Sequence, residues 1–293
     1  VAEGICQPIL MGVEEKIRVL MEENNIDIPS AIIVDPRMDE AKRRAYGAKL
    51  FEKRGRRGMT EFEAEYAMRN RNYFGSMMVE LGEADAFISG LTRNYPIALK
   101  PALECIGMDE SSNRVSGMHI MMSKSGPLFF ADTTVNISYS DEQLHCMIMN
   151  VYQRVKEFQI EPRIALISYS NFGSSGGENP QQLQRVLKRI QLEYPDMKID
   201  GEMQPVYAMN GDLRFKNYPF NKLGKEAANT YIFSQLSSGN SAYQLMRGMG
   251  GVSAIGPVLL GFKKSVHILH HSSSVREIVN MLALAVTEAQ DKA

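Results

Sequence analysis

Two adjacent imidazoles, His270 and His271, are followed by three hydroxyls, Ser272, Ser273 and Ser274. Two adjacent histidines suggest a metal site. Neighbours on an extended chain point to opposite sides, so the pair chelates one ion poorly, and no third ligand stands at a suggestive spacing. No metal site is expected here. Ser274-Val275-Arg276-Glu277 has the Ser-x-x-Glu spacing of a capping box. Glu277 therefore has a structural role worth about 1 kcal/mol at a helix start.

Three further loops carry groups suited to an anionic ligand. Ser89-Gly90-Leu91-Thr92-Arg93-Asn94 has one cation, Arg93, which alone reads as a solvated turn residue. The run from Ser168 to Gly177 holds Ser168, Tyr169, Ser170, Gly173, Ser174 and Ser175. A long loop after a buried strand can wrap a phosphorylated ligand with N–H and O–H donors. It lacks the Gly-Lys-Ser/Thr ending of a Walker loop and the glycine spacing of a dinucleotide fingerprint. Ser237-Ser238-Gly239-Asn240-Ser241 is expected to open a helix at Ser241 that bears Tyr243 and Arg247. Helix N-termini offer free N–H groups to phosphate, and simple capping by Ser or Asn is compatible with that role.

The elements that position these loops follow a repeated pattern of short apolar run, turn and helical stretch. That pattern predicts an α/β fold with a largely parallel sheet. Strands are expected at 9–11, 31–34, 86–89, 164–167, 231–233 and 266–269. The runs 115–122 and 127–131 are expected to form a hairpin around Ser125-Gly126. Helices are expected over 13–23, 95–106, 141–159, 180–194, 241–247 and 274–290, with a charged helical stretch over 38–81. In open α/β sheets, ligands bind beyond the carboxyl ends of the strands, where the four loops would lie.

Composition sets the outer limits. The 293 residues are long enough for one large or two smaller domains, with 44% hydrophobic and 23% charged residues. A net charge of -1 provides no global field toward nucleic acid or an anionic membrane. Three cysteines without close spacing argue against a disulfide framework and point to a reducing cytoplasm. No apolar run is long enough to span a bilayer. Val1-Ala2-Glu3-Gly4 has no secretory pattern and no initiator Met, which suggests a chain cut from something longer or trimmed of disordered residues.

Several ordered segments together resemble the phosphate acetyltransferase/butyryltransferase family. They are Gly82 to Gly90, Phe130 to Asn136, Arg163 to Ser170, Asp200 to Gln204, Ser238 to Tyr243, Gly256 to Gly261 and Glu277 to Asn280. The resemblance implies two α/β subdomains with a cleft between them, of the phosphotransacetylase and isocitrate/isopropylmalate dehydrogenase type, and a dimer or higher homo-oligomer. It places residues 1–122 and 262–293 in the first subdomain and 123–261 in the second. Active members carry a Ser-Arg pair just after the last strand and an Asp in the next helix turn, whereas this chain has His270-His271-Ser272-Ser273 and Glu277. Thr133 stands where members often have a cysteine. A guanidinium is a permanent two-pronged cation; an imidazole is mostly neutral at pH 7. Losing one positioned electrostatic group commonly lowers a rate by about a hundredfold to a thousandfold.

The substituted stretch, Val266 to Leu269 through Val275 to Asn280, looks most like the C-terminal part of bacterial hybrid malic enzymes. The resemblance implies a regulatory module with no catalytic residues of its own, joined to N-terminal malic domains that hold NADP and a divalent metal. Its effector would be acetyl-CoA. The residues expected to bind it are Arg93, Thr133, Ser168, Tyr169, Ser170, Gly173, Ser174, Ser175, Gly239, Asn240, Ser241, Arg247, His270, His271 and Ser272. Two alternatives stand beside this one. The first is an active phosphate acyltransferase in which Arg93 or Arg276 replaces the missing cation. The second is a purely oligomerising module.

Overall fold

The computed structural model describes residues 3–28, 31–270 and 272–291. In chain order the elements are β1 (Ile9–Met11), α1 (Glu14–Glu23), β2 (Ile32–Val34), α2 (Glu40–Arg54), α3 (Glu61–Ala67), α4 (Arg71–Glu80), β3 (Ala86–Ser89) and α5 (Tyr95–Cys105). Then come β4 (Ser116–Ser123), β5 (Gly126–Ala131), α6 (Asp141–Glu157), β6 (Ile164–Ile167), α7 (Glu178–Glu193), β7 (Ile199–Met203), α8 (Pro205–Met209) and α9 (Gly211–Asn217). The chain finishes with β8 (Thr230–Ile232), α10 (Leu236–Met249), β9 (Ser253–Leu260), β10 (Ser265–Ile268) and α11 (Val275–Asp291).

The chain divides into two compact units, Val1–Gly107 with Phe262–Ala293, and Met108–Gly261. The first division falls at Gly107, so β4 lies whole in the second unit; a boundary at 122 would cut that strand.

In the first unit, β1 pairs with β2 and β3 with β10, both in parallel register. Helices α2, α3, α4 and α5 bury Leu50, Met68, Phe74, Met77 and Cys105 in one cluster, against which Ile9, Met11 and Val34 pack. The expected helical stretch over 38–81 is three helices. A 3-10 turn at Gly55–Arg57 ends α2, and Thr60 starts α3 with a capping box to Glu63. Asn70 then caps α4 by accepting from the Asn72 amide. Each cap satisfies amides that a helix start leaves open, so three short helices replace one long one.

The second unit is built on a six-stranded mixed sheet ordered β7-β6-β8-β5-β4-β9. The parallel half runs β5-β8-β6-β7, and β4 is antiparallel to both β5 and β9. The hairpin forms with Lys124-Ser125 as its turn, since Ser123 pairs with Gly126. Phe130, Tyr231, Phe233, Met203 and Met121 form the core on one side of this sheet. α6 opens with a Ser140–Gln143 capping box, and its first residue, Asp141, accepts from Arg185 of α7 at 2.7 Å. β7 and β9 lie outside the expected strands: β7 contains Asp200 and Glu202, and β9 contains Gly256-Pro257, which interrupt the apolar pattern.

No described helix is long and apolar enough to cross a membrane.

Candidate functional site

The loops that leave the carboxyl ends of the second unit's parallel strands are held together by buried polar bonds. Asp132, just past β5, is buried and takes six donors. Its Oδ1 accepts from the amides of Gly117 (3.2 Å), Thr134 (2.8 Å) and Val135 (3.0 Å). Its Oδ2 accepts from the Asn136 amide (2.9 Å), Asn136 Nδ2 (2.8 Å) and Tyr139 Oη (2.6 Å). Burial first, then the Asp132 charge and hydrogen bond, push the Tyr139 phenol well above its ordinary value. The 132–136 turn is thereby fixed, because releasing the carboxylate would orphan several buried donors at once.

Thr133, next in the turn, is fully buried. Its hydroxyl lies 2.7 Å from His119 Nδ1 and 3.3 Å from the Gly117 carbonyl. Its own carbonyl accepts from Asn240 Nδ2 at 3.0 Å. Thr133 thus spends its groups inside the unit. Burial, with the nearby Arg247 charge second, lowers the His119 imidazole to about 3. The His119 ring stacks on Tyr243 at 3.8 Å with 17° between the planes, and Arg247 Nη1 donates to the Tyr243 hydroxyl at 3.3 Å.

α10 begins at Leu236, not at Ser241 as expected. Ser238 donates back to the Gln235 carbonyl at 2.8 Å inside its first turn. Gly239 and Asn240 are therefore helical residues turned toward the 132–133 turn, and Ser241 is exposed further along the helix. Of the expected residues in this unit, the fold brings Thr133, Gly239, Asn240 and Arg247 together. Ser241 is not part of that group. No side chain caps this start.

The Ser168 to Gly177 loop is internally braced. The Ser170 hydroxyl is buried, accepts from the Ser175 amide at 3.1 Å and lies 3.5 Å from Ser174 Oγ. Ser174 Oγ accepts from the Asn171 amide at 2.9 Å. Ser168 Oγ donates to Asn179 Oδ1 at 3.3 Å, and Asn179 Nδ2 bonds Ser234 Oγ, tying the exit of β6 to that of β8. The Gly173 amide donates at 2.8 Å to Glu202, whose other oxygen accepts from Gln184 Nε2 at 3.0 Å. Tyr169 is 57% exposed, with its hydroxyl donating to the Gly176 carbonyl at 3.1 Å. The hydroxyls of Ser168, Ser170 and Ser174 thus brace the loop itself. Gly177 gives no side-chain cap to α7, so amides remain at that helix start.

In the first unit, the Arg93 loop and the His270 loop leave neighbouring parallel strands, with Ser89 in register with Ile268. Arg93 is exposed. His270 is exposed, with Nδ1 2.7 Å from Ser272 Oγ and 3.3 Å from the Ser272 amide. His271 lies outside the described residues. The capping box forms: Glu277 accepts from the Ser274 amide at 2.7 Å, and the Glu277 amide donates to Ser274 Oγ at 3.3 Å. Beneath this loop, His267 Nε2 is 3.1 Å from Glu288 Oε2 and 3.3 Å from Ser265 Oγ, all three residues buried. The carboxylate and hydroxyl meet the same ring nitrogen, so this is not the geometry of an activated serine. Among the described residues, no group of three His, Cys, Asp or Glu could hold a metal ion.

Sequence reading passed over Asp132, His119 and Glu202 as site residues. The one signal for His119 is a histidine inside an otherwise apolar strand, Met118-His119-Ile120-Met121.

The family model for phosphate acetyl/butaryl transferases matches residues 1–286, and the chain belongs to that family. It is 35% identical to the NADP-dependent malic enzyme of Salmonella typhimurium over 98% of this chain but 38% of that protein. It is 30% identical to the phosphate acetyltransferase of Clostridium acetobutylicum, over 99% of this chain and 89% of that protein. Among solved structures, it superposes on a phosphotransacetylase from Streptococcus pyogenes with a TM-score of 0.89 and 29% identity. The match covers 99% of this chain and 88% of that one. The chain thus spans well under half the length of the malic enzymes it matches.

Proposed function

We propose that this chain is an acetyl-CoA-binding regulatory module that does not itself transfer acyl groups. In the full-length protein it is joined to the N-terminal part of an NADP-dependent malic enzyme. That part holds NADP and a divalent metal and oxidatively decarboxylates malate to pyruvate. Arg247 and the amides that open α7 supply the positive end of the effector site. The module forms a homo-oligomer, and effector binding inhibits the malic part through a coupling that is reciprocal between the two ligands.

One observation carries the non-catalytic reading. After the last strand, where active relatives place Ser-Arg, stands His270, with its Nδ1 against Ser272 and no permanent charge of its own. The similarity to the Salmonella typhimurium malic enzyme, over 38% of that protein, supports the attachment.

The test is an assay of acetyl-CoA formation from acetyl phosphate and coenzyme A, run beside calorimetry with acetyl-CoA. Saturable heat without turnover is expected. Turnover at ordinary enzyme rates would overturn the reading in favour of a second one, an active phosphate acetyltransferase. That second reading is favoured by the 89% coverage of the Clostridium acetobutylicum enzyme.

A further inference from the structure

We infer that His119 is a positioning residue that sets the place of the Arg247 guanidinium through the Tyr243 ring. The inference rests on the acetyl-CoA reading for what Arg247 meets, but the positioning itself is a property of the second unit alone.

His119 sits in mid-strand and pairs in register with Phe130 of β5. On its other side the register between β4 and β9 shifts between Met118 and Ile120, and the extra residue falls on β9. Bulges re-aim a side chain and increase local twist. Gly256 lies opposite, at φ 145, where an added Cβ would stand 2.7 Å from His119 Cδ2. Two departures from regular sheet thus make room for one imidazole. The hydroxyl of Thr133 lies 2.7 Å from Nδ1, and the bonds of Asp132 to the Thr134 and Asn136 amides fix the turn that carries Thr133. One edge of the ring is thereby anchored to the 132–136 turn.

Tyr243 then lies flat on that plane at 3.8 Å. Offset and parallel aromatic pairs hold orientation as well as distance. Its hydroxyl meets Arg247 Nη1, one turn further along α10, at 3.3 Å. An arginine side chain has four rotatable bonds and loses much freedom when it grips an anion. A contact that holds its head group beforehand reduces that loss. Burial keeps His119 neutral, so it stacks without placing a second cation beside Arg247.

A histidine that merely fills the core would affect stability alone. Positioning predicts more. His119→Ala should weaken acetyl-CoA binding by about tenfold, and Arg247→Ala by about tenfold to a hundredfold, as for a lost charged hydrogen bond. The double variant should bind no more weakly than Arg247→Ala. His119→Phe, which keeps a flat ring against Tyr243, should restore binding to within about threefold of the parent.

The deciding measurement needs no ligand. In the free protein, the Arg247 Nε–H resonance should be dispersed in the parent and in His119→Phe. In His119→Ala it should collapse toward the position of a solvated arginine, while the backbone spectrum stays folded. An unmoved Arg247 resonance in folded His119→Ala overturns the inference. Collapse of that resonance in a protein that does not bind acetyl-CoA would sink the proposed function and leave the positioning intact.

Discussion

The carbonyl oxygen of Asp132 occupies the space where a side chain on Gly239 would begin: an added Cβ would lie 2.1 Å from it. Helix α10 therefore meets the turn after β5 backbone to backbone, and Asn240 closes the join on the Thr133 carbonyl. This contact places Tyr243 and Arg247.

Gly239→Ala should accordingly be destabilising although alanine favours helix. The intrinsic gain of up to about 1 kcal/mol is outweighed by displacement of α10, at about 1–3 kcal/mol. Urea unfolding should show a lower midpoint with an unchanged slope. Equal or greater stability would mean that the turn and helix separate freely.

His119 gives the second unit a defined acid sensitivity. Its imidazole lies near 3 when folded against an ordinary 6.5. The unfolded chain binds the extra proton between those values, so stability falls as pH drops through that window. The slope is up to about 1.4 kcal/mol per pH unit. Above pH 6.5 the contribution is fully present. Unfolding measured at pH 7 and at pH 4.5 should show a smaller acid loss in His119→Phe than in the parent, and equal losses would contradict the assignment.

Glu202 holds the 168–177 loop from below. Glu202→Ala leaves the Gly173 amide and Gln184 without their buried acceptor. Hydrogen exchange at Gly173 and its neighbours should accelerate by at least about tenfold, as for a lost charged hydrogen bond, with the α6 amides unchanged. Exchange that stays slow at Gly173 would assign the loop's order to its serines alone.

Arg214 is fully buried, and its guanidinium gathers the segment from α8 to β8. It donates to Asn221 Oδ1 at 3.0 Å and to the carbonyls of Tyr207 (2.9 Å), Ala208 (3.3 Å), Gly224 (3.1 Å) and Glu226. Arg214→Met should lower stability by about 3–5 kcal/mol, because four carbonyls lose a donor inside the fold. Arg214→Lys should rescue little, since an ammonium cannot reach that spread of acceptors. Denaturant titration and proteolysis between 207 and 226 would register both effects.

The sequence is most readable where local chemistry and packing agree. Ser140 and Gln143 announce α6, Ser274 and Glu277 announce α11, and apolar runs announce β3, β6 and β10. It misleads where a polar residue is buried with its partners far along the chain. Asp200 and Glu202 make β7 look solvated, yet Asp200 accepts from the Lys222 amide at 2.6 Å and Glu202 from Gly173. No periodicity encodes those partners. The start of α10 is hidden for another reason. Ser237, Ser238 and Gly239 disfavour helix individually, and the close approach of Gly239 to the Asp132 carbonyl is a long-range contact that local propensity does not encode. The candidate site was legible as a set of loops, not as a network. The Thr133, His119, Tyr243 and Arg247 contacts join segments that only the folded sheet brings together.

Among the described residues, β3 has one strand beside it, β10, which follows the whole second unit in the chain. A ribosome delivers β3 early and its neighbour last. Until β10 is made, β3 thus waits with no strand on either edge while the second unit is being synthesised, exposed to whatever other chains or chaperones it meets.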